Sequence, residues 1–336
     1  MKWFLLLSLL GCAQVTSLNL KKHQFGVVPS KIIWFQIAGL EEEQIATLRF
    51  LRPSDAKTSF EDSICYGQTW NYNLYQLRNS SESTFLSQMT GKKNIKNSCE
   101  DTSLRPIWNY ISNSEYETVT LENGANPRQS LLWFNSCPQT ESSYLSPIHF
   151  FVRSKPSKNA QTFHYSEEIS FSKDSVFYDR SCGDSICLSS ILDNFKSIYS
   201  SLIKKSTRHL VIVRDFSYLE ALEKKDFKRA KEILTDIEMT YGEAMKLTNS
   251  NDHLVLLTTG DSRFVDIPDQ GKAFFEFEKE NKNVNVKRTK LTNLVLASGA
   301  RAENFCGIYD DSDVFDRILS GPKQQGLELK IINPFK

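Results

Sequence analysis

The chain has 336 residues, and its 41 lysines and arginines against 40 aspartates and glutamates leave a formal net charge of +1. That balance leaves no basic stripe for nucleic acid and no acidic tail for a charged partner. The length suits one large α/β domain or two small ones, and no apolar run beyond the N-terminal segment is long enough to span a bilayer.

In chain order, Lys2 supplies a short positive region, residues 3–10 are a compact apolar run, and Gly11, Cys12 and Ala13 are small residues suited to cleavage. The run is too short to cross a membrane and has the flanks of a signal peptide. Residues 1–17 are therefore read as removed, with the mature chain extracytoplasmic, secreted or periplasmic. Leu9-Leu10-Gly11-Cys12 also resembles a bacterial lipobox, in which a lipid on Cys12 would tether the protein. Residues 22–336 are read as one domain.

Without Cys12, six of the seven cysteines remain: Cys65, Cys99, Cys137, Cys182, Cys187 and Cys306. An even set in an oxidising compartment points to disulfides, with the pairing left open. Cys182 and Cys187 flank four residues and read as a locally stapled loop. Their spacing is too wide for CxxC redox or zinc-ribbon chemistry.

Residues 32–37 are a continuous apolar run, the mark of a strand covered on both faces. Ala38-Gly39 is a turn, and Glu41, Glu42 and Glu43 open a helix with apolar positions Ile45, Leu48 and Leu51. A short helix over 106–111 and a weaker strand over 118–121 follow. Residues 210–213 form another buried strand. Phe227, Ala230, Ile233, Leu234, Ile237, Tyr241, Ala244 and Met245 then recur with helical period, and 254–258 is the next strand, giving a strand–helix–strand crossover and a parallel pair. A last strand covers 294–297. The fold class is thus α/β, a mainly parallel central sheet with helices on both faces. The strand-end turns at Ala38, Arg214, Asp261 and Gly299 are expected along one rim, where sites lie in such sheets.

Three segments resemble the alkaline phosphatase superfamily. Residues 294–307, LVLASGARAENFCG, are similar to the family's late strand and Gly-rich Ala-Glu-Asn-Phe loop, with a final helix from Asp313. Residues 79–84, NSSEST, running on to Thr90-Gly91, resemble the nucleophile motif Asp-Ser-Ala-x-Thr, which puts Ser81 on the nucleophile and Thr84 on the motif threonine. Residues 253–262 resemble the strand that ends in Thr-x-Asp-His.

The resemblance implies two zinc ions and a magnesium ion, held by His and carboxylate ligands from several strand ends. Carried over singly, most ligand positions have lost that chemistry. The first aspartate falls at Ala38, the magnesium glutamate at Arg214, and the next zinc Asp and His near Leu219 and Glu223. Asp261 survives, but its His partner is Ser262. The final His falls at Arg288, before Thr289, and the pair preceding Pro127 falls at Gly124 and Asn126. Arg214 and Arg288 would oppose any cation, since a guanidinium does not deprotonate. His209 and His253 begin their strands, at the opposite end of the sheet, and His23, His149 and His164 are scattered.

The resulting reading is an alkaline-phosphatase-like pseudoenzyme with a binding or structural role, Ser81 a vestigial nucleophile position, and no cofactor expected. Its partner is an unidentified protein or an anionic ligand. Arg214 and Arg288 either form a metal-free anion pocket or fill the old cavity by pairing with Asp261 and Glu223. The alternative is a divergent phosphate- or sulfate-ester hydrolase using Ser81 with zinc and magnesium, in which Asp261 and Glu223 would be ligands. Residues 131–204 match no family element and are read as a variable insertion.

Overall fold

A computed structural model describes residues 28–319, except 51, 53–55, 139–144, 146–147, 174, 185, 249–251, 269, 281–283 and 289. The signal segment with Cys12, and also His23, Leu51 and Thr289, lie outside the described residues.

The apolar runs become strands buried on both sides because helices cover both faces of one sheet. Strand β1 (Lys31–Ala38) shows how. Ile33, Phe35 and Ile37 enter one core, while Ile32 and Trp34 enter the other. The first core is covered by α1 (Glu42–Phe50), α4 (Ile191–Lys205), α5 (Ser217–Glu223) and α6 (Phe227–Leu247). The second is covered by α2 (Ser81–Thr90), α3 (Ile107–Ile111) and α8 (Asp313–Leu319).

The remaining strands of the sheet are β2 (Cys65–Trp70), β3 (Glu117–Asn123), β4 (Ile148–Arg153), β5 (Gln161–Phe163), β6 (Val176–Asp179), β7 (His209–Asp215), β8 (His253–Gly260), β11 (Thr292–Gly299) and β12 (Gly307–Asp310). Among the described residues they form a ten-stranded sheet in the order β12-β2-β11-β8-β1-β7-β3-β4-β6-β5. A separate hairpin pairs β9 (Phe264–Asp266) with β10 (Asn285–Lys287), with α7 (Gly271–Glu280) between them in sequence. Strands β7 and β8 are parallel, as the crossover requires, but β1 lies between them and pairs with both. The stretch 131–204 carries β4, β5 and β6 outward along the same sheet and lays α4 on its face.

One expectation about the rim is corrected. Ala38, Arg214 and Asp261 do lie at the carboxyl ends of parallel strands. Gly299 does not, because β11 is antiparallel to both β8 and β2 and Gly299 pairs with Leu254. The reversal brings the start of β11, and the chain just before it, to the site rim instead. Gly299 serves backbone geometry at the far rim. Its φ is +89°, and a Cβ there would come within 2.1 Å of the His253 carbonyl.

Three disulfides hold the described chain: Cys65–Cys306, Cys99–Cys137 and the local staple Cys182–Cys187. No helix among the described residues is long and apolar enough to cross a membrane.

Candidate functional site

The site rim is organised by α2. Ser80 is its N-cap, accepting from the Ser83 N–H at 3.4 Å, and Gly91 closes it in the left-handed conformation at φ +69°. Buried polar side chains fix the helix to the sheet. Trp34 Nε1 donates to Thr258 Oγ1 at 2.9 Å, and that hydroxyl donates to Gln88 Oε1 at 2.7 Å. Gln88 Nε2 donates to Asp311 at 3.3 Å, where Thr69 and Asn293 also donate. Burial pushes the Asp311 carboxyl up to about 7, against the pull of those donors.

Beside the first turns of α2 opens a cleft of about 400 Å³ lined by Ser80, Glu82, Arg128, Leu131, Trp133 and Arg214, among others. Ser81, the position matched to a nucleophile, is only 1% exposed, whereas its neighbours Ser80 and Glu82 face the cleft. Thr84 is buried and donates to Asn71 Oδ1 at 3.0 Å.

Arg214 sits in the cleft floor within a rung that spans three parallel strands. Gln36 of β1 and Glu122 of β3 are its register neighbours on β7. Arg214 Nε donates to Gln36 Oε1 at 3.0 Å, and NH1 pairs with Glu122 at 2.5 Å. The guanidinium also lies 5.1 Å from the Phe216 ring centre and 5.8 Å from that of Phe85. Glu122 further accepts from the Ser130 hydroxyl and from the Leu131 N–H at 3.3 Å. Its pKa is raised by burial, with Arg214 acting in the opposite direction.

The second arginine has a different setting. Arg288 Nε pairs with Asp261 at 2.6 Å, and NH2 donates to the carbonyls of Arg78 and Asn79 at 3.1 and 2.5 Å. It thereby ties the chain before β11 to the chain before α2. Arg263 binds Asp261 with both guanidinium nitrogens, at 2.8 and 3.1 Å, and reaches Glu223 at 2.5 Å. Asp261 adopts a left-handed φ of +53° and carries a pKa raised by burial and lowered by the two arginines.

The expected pairing is therefore met in part. Arg288 joins Asp261, but Arg214 joins Glu122, and Arg263 is the partner of Glu223. Glu122 and Arg263 went unread in the sequence. Their signals were modest: an acid ending a strand in the rung of Gln36 and Arg214, and a cation two residues past Asp261.

The donor set does not fit a zinc or magnesium cluster. Asp261, Glu223 and Glu122 each already hold a guanidinium. Among the described residues, no three of His, Cys, Asp and Glu gather where a metal could be held.

The histidines lie elsewhere. His209 and His253 pair with Lys31 at the start of β1, the far rim. Tyr199 OH lies 2.9 Å from His253 Nε2 and 3.4 Å from His209 Nε2. His253 Nδ1 meets Asp252 at 2.8 Å, and Asp252 also holds Lys31 at 2.9 Å. Burial lowers both histidines, His209 to about 4. A His held below its unfolded value of about 6.5 stays neutral in the fold but charges in the unfolded chain. Its stabilising contribution is complete above that value and is lost as pH falls towards 4. For His209 this amounts to about 3 kcal/mol. Denaturant melts at pH 7 and pH 4.5 should therefore show a larger drop for wild type than for His209→Gln. Equal drops would mean that His209 does not contribute.

A mainly parallel sheet between two helical layers, with a serine-capped helix at its carboxyl rim and one reversed strand beside β8, is the alkaline phosphatase fold. The solved structures agree. Alkaline phosphatase from Thermus thermophilus matches with a TM-score of 0.67 and 11% identity, over 94% of this chain and 95% of that one. Alkaline phosphatase from the Antarctic bacterium TAB5 matches with 0.65 and 12% identity, over 87% and 97%. The lipoteichoic acid synthase LtaP from Listeria monocytogenes matches with 0.51 and 12% identity, over 93% and 75%. No family model and no curated protein sequence matches the chain. At these identities the likeness is one of fold.

Proposed function

We propose that this chain is an exported, non-catalytic protein of alkaline phosphatase fold that uses its cleft rim to bind a partner or to build structure. The observation that carries the reading is the charge at the old metal positions. Each carboxylate there is engaged by a guanidinium, and Ala38, Leu219 and Ser262 stand where further ligands would be needed. At an effective dielectric of about 20, a unit positive charge some 4 Å from a divalent ion costs about 8 kcal/mol. Ser81 keeps the nucleophile position but is buried, with no metal-holding cluster among the described residues to activate it, and Thr84 is spent on its hydrogen bond to Asn71. Arg214 and Arg288 stay candidates for an anion contact, each from its own ion pair. Export is supported by the N-terminal pattern and by three disulfides, which persist in oxidising compartments.

Elemental analysis after zinc loading, with a phosphate-monoester assay, tests the proposal. The purified protein should hold no stoichiometric zinc. Its hydrolysis rate should equal those of Ser81→Ala and Ser80→Ala, the second included because Ser80 lines the cleft. Tightly bound zinc near one or two per chain, with activity lost in either variant, would establish the metal-dependent hydrolase instead.

A further inference from the structure

Helix α4 is fixed to the sheet by different groups at its two ends. At the N-terminal end Ser190 and Asp193 form a capping box, and the Ile191 and Leu192 N–H groups donate to Asp236 of α6 at 2.7 and 3.3 Å. Asn194 donates to Asp179 at 2.8 Å. At the C-terminal half the partners are histidines. Tyr199 OH meets both His253 and His209, and Lys205 Nζ lies 3.3 Å from His149 Nε2. His253, His209 and His149 stand two residues before Val255, Val211 and Phe151, so all three point to the core that α4 covers. All three are buried.

The hydrogen bonds through Tyr199 run in one direction. The Asp252 carboxylate faces His253 Nδ1, so that nitrogen carries the proton and Nε2 accepts. Tyr199 therefore donates to His253, and its oxygen accepts from His209 Nε2. A second proton on His253 turns Nε2 into a donor and leaves the Tyr199 proton without its acceptor. Lys31 of β1 opposes a charge on either ring, and Asp252, which already holds Lys31 and the Ser30 hydroxyl, favours it. On the β3 side His149 lies 3.0 Å from Glu117, which also draws Lys205 at 3.9 Å and Lys173 at 4.0 Å. Burial outweighs these carboxylates and lowers the pKa of all three histidines. They resist charge while α4 is seated and accept it once water reaches them.

The N-terminal end responds in the opposite sense. Burial raises the Asp236 carboxyl, with Arg153 of β4 opposing and Asp193 adding to the rise, so acid does not loosen that end. Outside the helix, the Ile169 N–H donates to Ser201 Oγ at 3.3 Å, and Glu168 and Lys204 make an exposed pair of little weight.

We propose that the C-terminal half of α4, residues 198–205, is an acid-released flap, latched by Tyr199 and Lys205 on His253, His209 and His149 and hinged at its Asp236 end. Release bares Ile198 and Leu202, which are buried in the seated helix. The flap lies on the face of the sheet opposite the cleft and does not depend on how the cleft is read.

Hydrogen exchange read by mass spectrometry, corrected for intrinsic rates, tests it. Between pH 7 and pH 4.5 the opening constant of 198–205 should rise about fiftyfold, the change that His209 alone supplies as its value moves from about 4 when buried to about 6.5 when wet. At pH 4.5 this segment should be at least about tenfold less protected than residues 233–244 of α6, because a flap opens without the rest of the fold. In His209→Gln/His253→Gln neither side chain can charge, and the rise should fall below about fivefold. The wild-type comparison of the two helices decides the matter if that variant does not fold. Equal protection of α4 and α6 at pH 4.5 would make the acid response global and overturn the proposal. So would a wild-type rise under about threefold, or a folded variant that keeps the full rise.

Discussion

Replacing Arg214 by methionine will destabilise the protein by about 3–5 kcal/mol, the cost of leaving one member of a buried ion pair uncompensated. Glu122 is fully buried, and without the guanidinium its donors among the described residues are the Ser130 hydroxyl and the Leu131 N–H. Burial already raises the Glu122 pKa with Arg214 present, and removing Arg214 raises it further. A carboxyl whose folded pKa lies above its unfolded value binds more protons in the fold. The deficit of Arg214→Met will therefore be greatest at neutral pH and above, and will shrink as pH falls towards the unfolded value near 4.5. Arg214→Met/Glu122→Gln should recover most of the loss. The amide keeps an acceptor for Leu131 without a charge, and removing both charges of a buried pair is often close to neutral. Denaturant melts of wild type, Arg214→Met, Glu122→Gln and the double variant at two pH values measure the coupling. A single Arg214→Met variant as stable as wild type would show that the pair carries no weight.

Removing the Cys65–Cys306 disulfide will cost about 5 kcal/mol, against about 2 kcal/mol for Cys182–Cys187. The difference follows from the chain closed by each bond. The first links residues 241 apart and the second residues 5 apart, and loop-closure entropy in the unfolded chain grows with the logarithm of that length. The long-range bond joins the start of β2 to the residue before β12, the neighbouring strand, so it clamps that edge of the sheet. Double serine variants, Cys65→Ser/Cys306→Ser and Cys182→Ser/Cys187→Ser, compared by equilibrium denaturation will rank the two. The reverse ranking would locate the stabilisation in native contacts rather than in the unfolded chain.

Much of the architecture was legible in the sequence because its signals are local. Residues 32–35, 210–213 and 254–257 are unbroken apolar runs, and only a strand buried on both faces needs such a run. The helical period from Phe227 to Met245 and the acids opening α1 are equally local. The Cys182–Cys187 staple needed only spacing.

The partnerships at the site were decided by tertiary structure. Arg214 could be placed at the end of a strand from its neighbours in sequence, but its partner Glu122 is set by strand order. β3 lies beside β7 in the sheet although β4, β5, β6 and α4 separate the two strands along the chain. The reversal of β11 belongs to the same level. Nothing within 294–297 states its direction, and that direction sends Gly299 to the far rim while bringing Arg288 to Asp261. Residue identity determined which groups would be buried in this protein. The sheet order determined which buried charges meet, because an ion pair depends on distances of a few ångströms between segments that the sequence holds far apart.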